Sequence, residues 1–289
     1  MVVGKEGWLY TDEEFNVEEN AAATVRENLA QIARVRTQLA SEGISLVAAV
    51  VPAKARIYSE FVAQRQPANA HRSLYDAALE GLAAEHIPAV DLRGALAAGK
   101  ARRETYFRTD THWTPWGAQL AATEIANAMR AASLAPEQNE SYVTRIERIA
   151  VHRGDLCNFL PLDPYFTQLL PPRETLDVMK TEAVRPAVAI KTSATAAQAL
   201  FGDSELPDIA LVGTSYSANA LWNFTGYLKE ALHADIANYA REGAGPYLPM
   251  HAYLQSADFR VHRPHLVIWE IPERALLMSR QTPAAAETP

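Results

Sequence analysis

Residues 207–219 read Pro207-Asp208-Ile209-Ala210-Leu211-Val212-Gly213-Thr214-Ser215-Tyr216-Ser217-Ala218-Asn219. The aliphatic run is too short for a buried helix, and proline and glycine bound it, so it reads as a buried strand. The small hydroxyl residues that follow are turn and helix-start residues, and the apolar spacing continues as a helix to about Leu232. A buried strand turning directly into a helix is the repeating unit of an α/β sheet. The same unit recurs outward from this point. On the amino-terminal side, Val25, Leu29, Ile32, Val35 and Leu39 mark a helix from about Val17 to Ala40, which Gly43 ends. Ile44 to Val51 is uncharged and reads as a second buried strand of the parallel kind. A helix from about Ser73 to Glu85, a strand at Ile87 to Leu92, and a small helix and loop to Arg103 follow. From Pro115, the residues Ala118, Ala121, Ala122, Ile125, Ala128 and Met129 give a helix with a narrow, close-packing face, with Thr114 and Pro115 suited to its start. Beyond Leu232 come a strand at Asp235 to Tyr239, a turn at 241–246, a helix from Leu248 to Ser256 and a strand from His265 to Ile271. The alternation predicts a three-layer α/β/α fold with a mainly parallel central sheet.

The 289 residues are expected to form a single domain over residues 1–280. Residues 134–201 weaken into mixed strand and loop, with Tyr142 to Val151 partly alternating and proline breaking the rest. They are read as an irregular excursion or insertion, a second small domain being the alternative, and 281–289 as a flexible tail. Hydrophobic residues at 48% and charged residues at 21% exclude a disordered or collagen-like chain. The net charge of -7 is spread without a basic block, which argues against nucleic acid and against attraction to an anionic membrane surface. An anionic substrate would therefore need a local basic patch. Cys157 is the one cysteine and reads as a small buried side chain. No apolar run approaches a bilayer span and no signal segment is present. Met1-Val2-Val3-Gly4-Lys5-Glu6-Gly7-Trp8 nonetheless reads like the middle of a domain, so a leader or anchor upstream is an expectation.

A serine hydroxyl needs a neighbouring base, and that base needs a group to hold its tautomer. Ser215, in the turn between strand and helix at the sheet's carboxyl edge, is the candidate nucleophile, with Ser217 the candidate helix cap. That Thr214, Ser215 or Ser217 merely caps the helix is the rival reading. Thr109-Asp110-Thr111-His112-Trp113-Thr114-Pro115-Trp116-Gly117 places a carboxylate and an imidazole two residues apart. In an extended segment those side chains share a face, so Asp110 can orient His112 as the base. A metal site joining Asp110 and His112 to His262 and His265 lacks a second tight ligand pair, and no metal or cofactor is called for. Gly202-Asp203-Ser204 spells an esterase nucleophile motif but precedes a strand instead of following one, and reads as a loop. Lys54 and Arg56, at the carboxyl end of the strand 44–51, are candidate contacts for an anionic sugar or an acyl donor, with solvated loop charges as the alternative. Trp113, Trp116 and Trp222 could stack on sugars or simply pack in the core.

The DTHWTPWG segment, the Gly213-Thr214-Ser215-Tyr216-Ser217 turn, the early Gly7-Trp8-Leu9-Tyr10, Val51-Pro52-Ala53-Lys54 and Arg153-Gly154-Asp155-Leu156 together resemble the SGNH hydrolase-like domain of bacterial alginate O-acetyltransferases, the AlgJ/AlgX family. The likeness runs over nearly the whole chain. It implies an enzyme that moves acetyl groups onto hydroxyls of an exopolysaccharide, with Ser215 as nucleophile, His112 as base and Asp110 as orienter. It also implies a periplasmic location, a membrane partner that hands over the acetyl group, and anchoring at the inner membrane by an upstream segment. Ordinary SGNH hydrolases place the serine first and the acid and histidine last, so the reversed order here resembles a circular permutation. The family's usual oxyanion asparagine has no clear match. Tyr216, Gly243 and Gly245 are the candidate oxyanion or substrate contacts, the two glycines having a plain turn as their alternative. A carbohydrate acetylesterase and a catalytically idle polysaccharide-binding subunit of an export complex remain the rival functions.

Overall fold

A computed structural model describes residues 1–17, 19–137, 140–162, 165–184 and 206–279. Two short strands, β1 (Val2–Val3) and β2 (Leu9–Tyr10), pair antiparallel before the long helix α1 (Ala21–Ser41). Then come β3 (Ser45–Val51), a single helical turn α2 (Lys54–Ile57), α3 (Asn69–Ala84), β4 (Ala89–Asp91), α4 (Arg93–Gly99) and α5 (Pro115–Ala131). An antiparallel hairpin of β5 (Tyr142–His152) and β6 (Glu174–Ala183) occupies the region expected to be irregular. The tail beyond 280 and the Gly202-Asp203-Ser204 motif lie outside the described residues. The chain continues with β7 (Ile209–Val212), α6 (Ser215–Ala218), α7 (Phe224–Leu232), β8 (Ala237–Asn238), α8 (Tyr247–Leu254), α9 (Ala257–Val261) and β9 (Leu266–Pro272).

The central sheet has the order β4-β3-β9-β7-β8, and every pairing in it is parallel. Counted from β7 as the first strand and continuing through β8, β9, β3 and β4, the spatial order is 2-1-3-4-5, a common doubly wound arrangement. The expected permutation thus has a structural counterpart: this chain enters that order at its fourth strand. The first long helix and the segment that follows β9 accordingly meet in space. The Asn28 side chain on α1 donates to the carbonyls of Leu276 at 3.0 Å and Met278 at 3.1 Å.

Both faces of the sheet are dry, which is why its strands carry almost no charge. On one face, Val47, Ala49, Leu211 and Ile268 pack against Ala118, Ala122 and Ile125 of α5 and against Phe224 and Leu228 of α7. On the other, Leu46, Ala48, Val212 and Trp269 pack against Ile32 and Leu39 of α1, Leu74 and Ala78 of α3, and Tyr253 of α8. The alternation along each strand sends neighbours to opposite cores. The hairpin closes one end of the first core by burying Leu176 and Val178.

Gly117 shows how tightly α5 is seated, since a Cβ there would stand 2.1 Å from the Thr105 carbonyl oxygen. The Thr114 hydroxyl accepts from the Gly117 amide at 3.1 Å and Pro115 occupies the first helical turn, as the sequence predicts. Replacing this cap by alanine would cost about 1 kcal/mol.

Candidate active site

The carboxyl end of β7 lies beside β9 where the strand order reverses, the crevice that doubly wound sheets offer to ligands. Gly213 follows β7 with the Glu270 carboxylate against it: a Cβ at Gly213 would lie 2.4 Å from Glu270 Oε2. Glu270, on β9, is fully buried and holds the turn by accepting from the Thr214 amide at 2.6 Å, the Thr214 hydroxyl at 3.0 Å and the Ser217 hydroxyl at 3.1 Å. Burial pushes its carboxyl pKa up, and the donors from Thr214 and Ser217 oppose that shift. The expected cap is therefore corrected: Thr214 caps α6, and Ser217 is bound to Glu270. Ser215 is left as the hydroxyl facing His112, its Oγ 2.6 Å from Nε2.

Asp110 and His112 come together by a route other than the expected one. The segment is a run of bends, not a strand, bounded by an isolated bridge between Tyr106 and Trp113. Asp110 Oδ1 accepts from the His112 amide at 2.9 Å and from His112 Nδ1 at 2.6 Å, so the aspartate folds over its own chain as turn-forming carboxylates do. The far oxygen Oδ2 accepts from His152 Nε2 at 2.8 Å and from the Asp155 amide at 3.0 Å. Burial alone would raise the Asp110 pKa, but the bonds from His112, His152 and Asp155 hold it well below the usual carboxylate range. His152 loses basicity through burial and regains more from Asp110, leaving its pKa raised.

The remaining polar groups of residues 108–112 are held from several sides. Glu174 accepts from the Arg108 amide at 2.8 Å and the Thr109 amide at 3.0 Å, Asp155 from the Thr111 amide at 2.8 Å, and Tyr216 donates its hydroxyl to the Thr111 carbonyl at 2.8 Å. Lys54 donates to the Arg108 and Asp110 carbonyls at 2.9 and 2.8 Å. Buried polar backbone that lacks regular structure needs such partners.

Two expected ligand contacts are corrected here. Lys54 is 1% exposed, its ammonium bound to those two carbonyls, and burial brings its pKa down to about 8. Arg56 is engaged by Glu273 at 2.5 Å and by the carbonyls of His71 and Arg72, which ties α2 to α3 and the end of β9. Tyr216 is also not a surface contact. It is 1% exposed, and its ring stands edge-on to His112 with centroids 4.8 Å apart. Gly243 and Gly245, both at positive φ, do line a cavity of about 280 Å³ with Ser215, Tyr247 and Arg274. A larger cavity of about 610 Å³, with Trp116 and Arg173 in its wall, is not lined by the serine.

Trp113 and Trp222 are buried; Trp222 stacks on His112 at 5.4 Å, and Trp113 stands edge-on to Tyr216 at 5.1 Å, so both pack within the core. His262 and His265 line a cavity at the opposite, amino end of β9, away from Asp110. Asp110, His112 and Asp155 could jointly face a cation, but His112 Nδ1 is already committed to Asp110 and Asp155 Oδ1 to the Thr111 amide. This donor set is one of closed hydrogen bonds.

Fold and site together define an α/β domain of the SGNH hydrolase-like class, with a serine, a histidine and an aspartate in one hydrogen-bonded line at the switch point of a parallel sheet. Residues 1–273 match the family described as "SGNH hydrolase-like domain, acetyltransferase AlgX", and the chain belongs to that family. It is 46% identical over 279 residues to the "Probable alginate O-acetylase AlgJ" of Pseudomonas aeruginosa, covering 96% of this chain and 71% of that protein. The solved O-acetyltransferase domain of Pseudomonas putida AlgJ superposes with a TM-score of 0.87 at 42% identity, covering 97% of this chain and 93% of that domain. Pseudomonas aeruginosa AlgX shares the fold with a TM-score of 0.70 at 24% identity over 97% of this chain and 68% of that one.

Proposed function

We propose that this chain is an O-acetyltransferase acting on alginate, with Ser215 as the acetyl carrier. The observation that carries the reading is the Ser215–His112–Asp110 line, 2.6 Å at each link, in a chain whose relatives are named for alginate O-acetylation. Ser215 Oγ gives its proton to His112 Nε2 and attacks the acetyl carbonyl of the donor. The donor's leaving group departs with that proton from Nε2, and acetyl-Ser215 remains. A sugar hydroxyl then gives its proton to Nε2 and attacks the acetyl carbon, and Ser215 leaves with the proton restored. Asp110 keeps Nδ1 as the donor side of the ring throughout. The Ser215 amide, with the backbone at Gly243 or Gly245 as a second donor, holds the developing oxyanion in this scheme. Periplasmic location, a membrane partner supplying the acetyl group, and an anchor outside these residues belong to the same proposal.

The test is turnover of an activated acetate ester by the parent and Ser215→Ala proteins, with and without oligomannuronate, followed by mass analysis of the Ser215 peptide and of the sugar. Acetyl on Ser215 and then on the sugar is expected, with turnover lost in Ser215→Ala by a factor of roughly 1,000 or more. Release of acetate alone, unaffected by added sugar, would make the protein an esterase. An inert parent would make it a binding subunit.

A further inference from the structure

Among the described residues, the wall of the Ser215 cavity contains one cation, Arg274, with bonding capacity to spare. Arg274 lies just after β9, and its side chain is 15% exposed. Nε donates to Glu13 Oε2 at 2.7 Å, and Nη1 approaches the Tyr216 hydroxyl at 3.4 Å. A guanidinium carries five N–H donors in a planar fork, so about three remain uncommitted. Glu13 is 43% exposed, so water weakens its hold on the arginine, while the buried carboxylates of Glu14 and Glu270 also feel the guanidinium's charge. Besides Arg274, Glu13 and Ser215, the described wall is made of the hydroxyl residues Thr214 and Ser279, the glycine turn and mainly apolar side chains, with no second cation among the described residues.

The turn opposite is held as firmly as the arginine. Trp269 on β9 donates its indole N–H to the Pro246 carbonyl at 3.0 Å, which fixes the segment carrying Gly243 and Gly245. The cavity, about 280 Å³ and open to solvent, has room for a sugar ring. A polyuronate acceptor carries one carboxylate on each ring, and a planar arginine fork is the side chain that matches a carboxylate in two hydrogen bonds.

We propose that Arg274 receives the carboxylate of the uronic-acid residue being acetylated, so that this enzyme selects acidic over neutral glycans inside the Ser215 cavity. This rests on the acetyl-transfer reading and supplies the local basic group that the chain's overall negative charge demands. Glu13 then acts as the positioning residue that keeps the guanidinium turned toward the cavity, and Tyr216 supports its far edge while also holding the loop of His112.

The experiment compares two acceptors, oligomannuronate and the same oligomer with its carboxyl groups reduced to alcohols, using a neutral activated acetate ester as donor. Any preference for charge then belongs to the acceptor. The parent is expected to favour the acidic acceptor by about 10- to 100-fold in kcat/KM, mostly through KM, as for one hydrogen-bonded charge pair. In Arg274→Gln that ratio falls toward unity, and Arg274→Lys recovers part of it. Raising salt should lower the ratio in the parent but leave it flat in Arg274→Gln. A purely structural role for Arg274 would depress both acceptors equally, and an unchanged ratio in Arg274→Gln or an equal loss on both acceptors overturns the proposal. If the parent transfers to neither acceptor, the acetyl-transfer reading fails on its own. The arginine is then read from inhibition of ester hydrolysis, where the acidic oligomer should inhibit the parent at least tenfold more strongly than the reduced one. Equal inhibition by the two in that assay overturns it.

Discussion

Asp110 is where folding and chemistry meet in one side chain. Its four acceptor sites are filled by two backbone amides and two imidazoles, so a change there acts on geometry and on charge together. Asp110→Asn keeps the shape but brings an NH2 to where a donor already points, which misorients His112. A loss of about 1,000- to 10,000-fold in ester turnover is expected, against a much smaller change in fold by circular dichroism. The pH dependence of stability separates the two histidine bonds. Asp110 has a depressed folded pKa, so its contribution is present above the ordinary carboxylate value near 4 and is lost as pH falls below it. His152 has a raised folded pKa, so its contribution is complete below the ordinary imidazole value near 6.5 and is lost as pH rises through the raised one. The stability gap between parent and His152→Gln, read from urea midpoints, should therefore be larger at pH 5.5 than at pH 9. A gap that does not change with pH would mean that His152 acts only by packing against Phe107 and Trp222. Asp110, His112 and Ser215 were readable from spacing and chemistry. His152 was not, because it reaches Asp110 from 42 residues away at the end of a strand with no chemical signature of its own.

The β5–β6 hairpin shows why an element can be only half legible in sequence: Tyr142 to Val151 partly alternates and is β5, while β6 left no such mark. Its pairing register shifts between Ile146 and Arg148, which interrupts the alternation that marks a strand. Its outer face also leaves Ile146, Ile149 and Val151 exposed, so apolar residues fall on both sides and the two-residue period is blurred. Only Leu176 and Val178 carry the buried signal. Yet the hairpin's ends supply His152, Asp155 and Glu174 to the loop that bears His112, and the joint is tight at Gly154. A Cβ at Gly154 would lie 2.0 Å from the Thr109 carbonyl oxygen and 2.5 Å from the Asp110 nitrogen. Gly154→Ala must push the hairpin end away from the loop, at a cost of about 1 to 3 kcal/mol and a disproportionate loss of turnover. Gly94→Ala in α4 is the matched control, since nothing lies within 4 Å of its Cβ. Helix propensity makes that change neutral or stabilising by up to about 1 kcal/mol. Thermal melts beside ester turnover of the two proteins test the difference, and similar losses in both would argue that Gly154 is not a contact point.

At the scale of the molecule, the strands and helices of the sheet were legible because each buries both faces or one clear stripe. Their order was not, since β3 pairs with β4 soon after it and with β9 more than 200 residues on, and parallel pairing leaves no local mark. The same distance hid the partners of Lys54 and Arg56. Glu14 and Glu273, the buried carboxylates around α2, are remote in sequence, and a charged residue read alone looks solvated. If the fold is a permuted 2-1-3-4-5 sheet, its connectivity should be a matter of history more than of stability. The segments around Met1 and Arg274 both reach the short stretch Asp12-Glu13. The Met1 nitrogen lies 2.6 Å from Asp12 Oδ1, and the adjacent Glu13 bonds Arg274, five residues before Ser279. A flexible linker of about ten residues spans roughly 17 Å on average, enough to run from Ser279 back to Met1. A chain opened before Leu206 and closed by that linker would begin with β7 and carry Ser215 first, in the order of ordinary SGNH hydrolases. Loop-closure entropy changes slowly with length, so its unfolding free energy should fall by no more than about 2 kcal/mol, with Ser215-dependent ester turnover within a factor of a few of the parent. Failure of this rearranged chain to fold, with the linker lengthened as a control, would show that β6 must be joined directly to β7 for the hairpin to seat on the loop of His112.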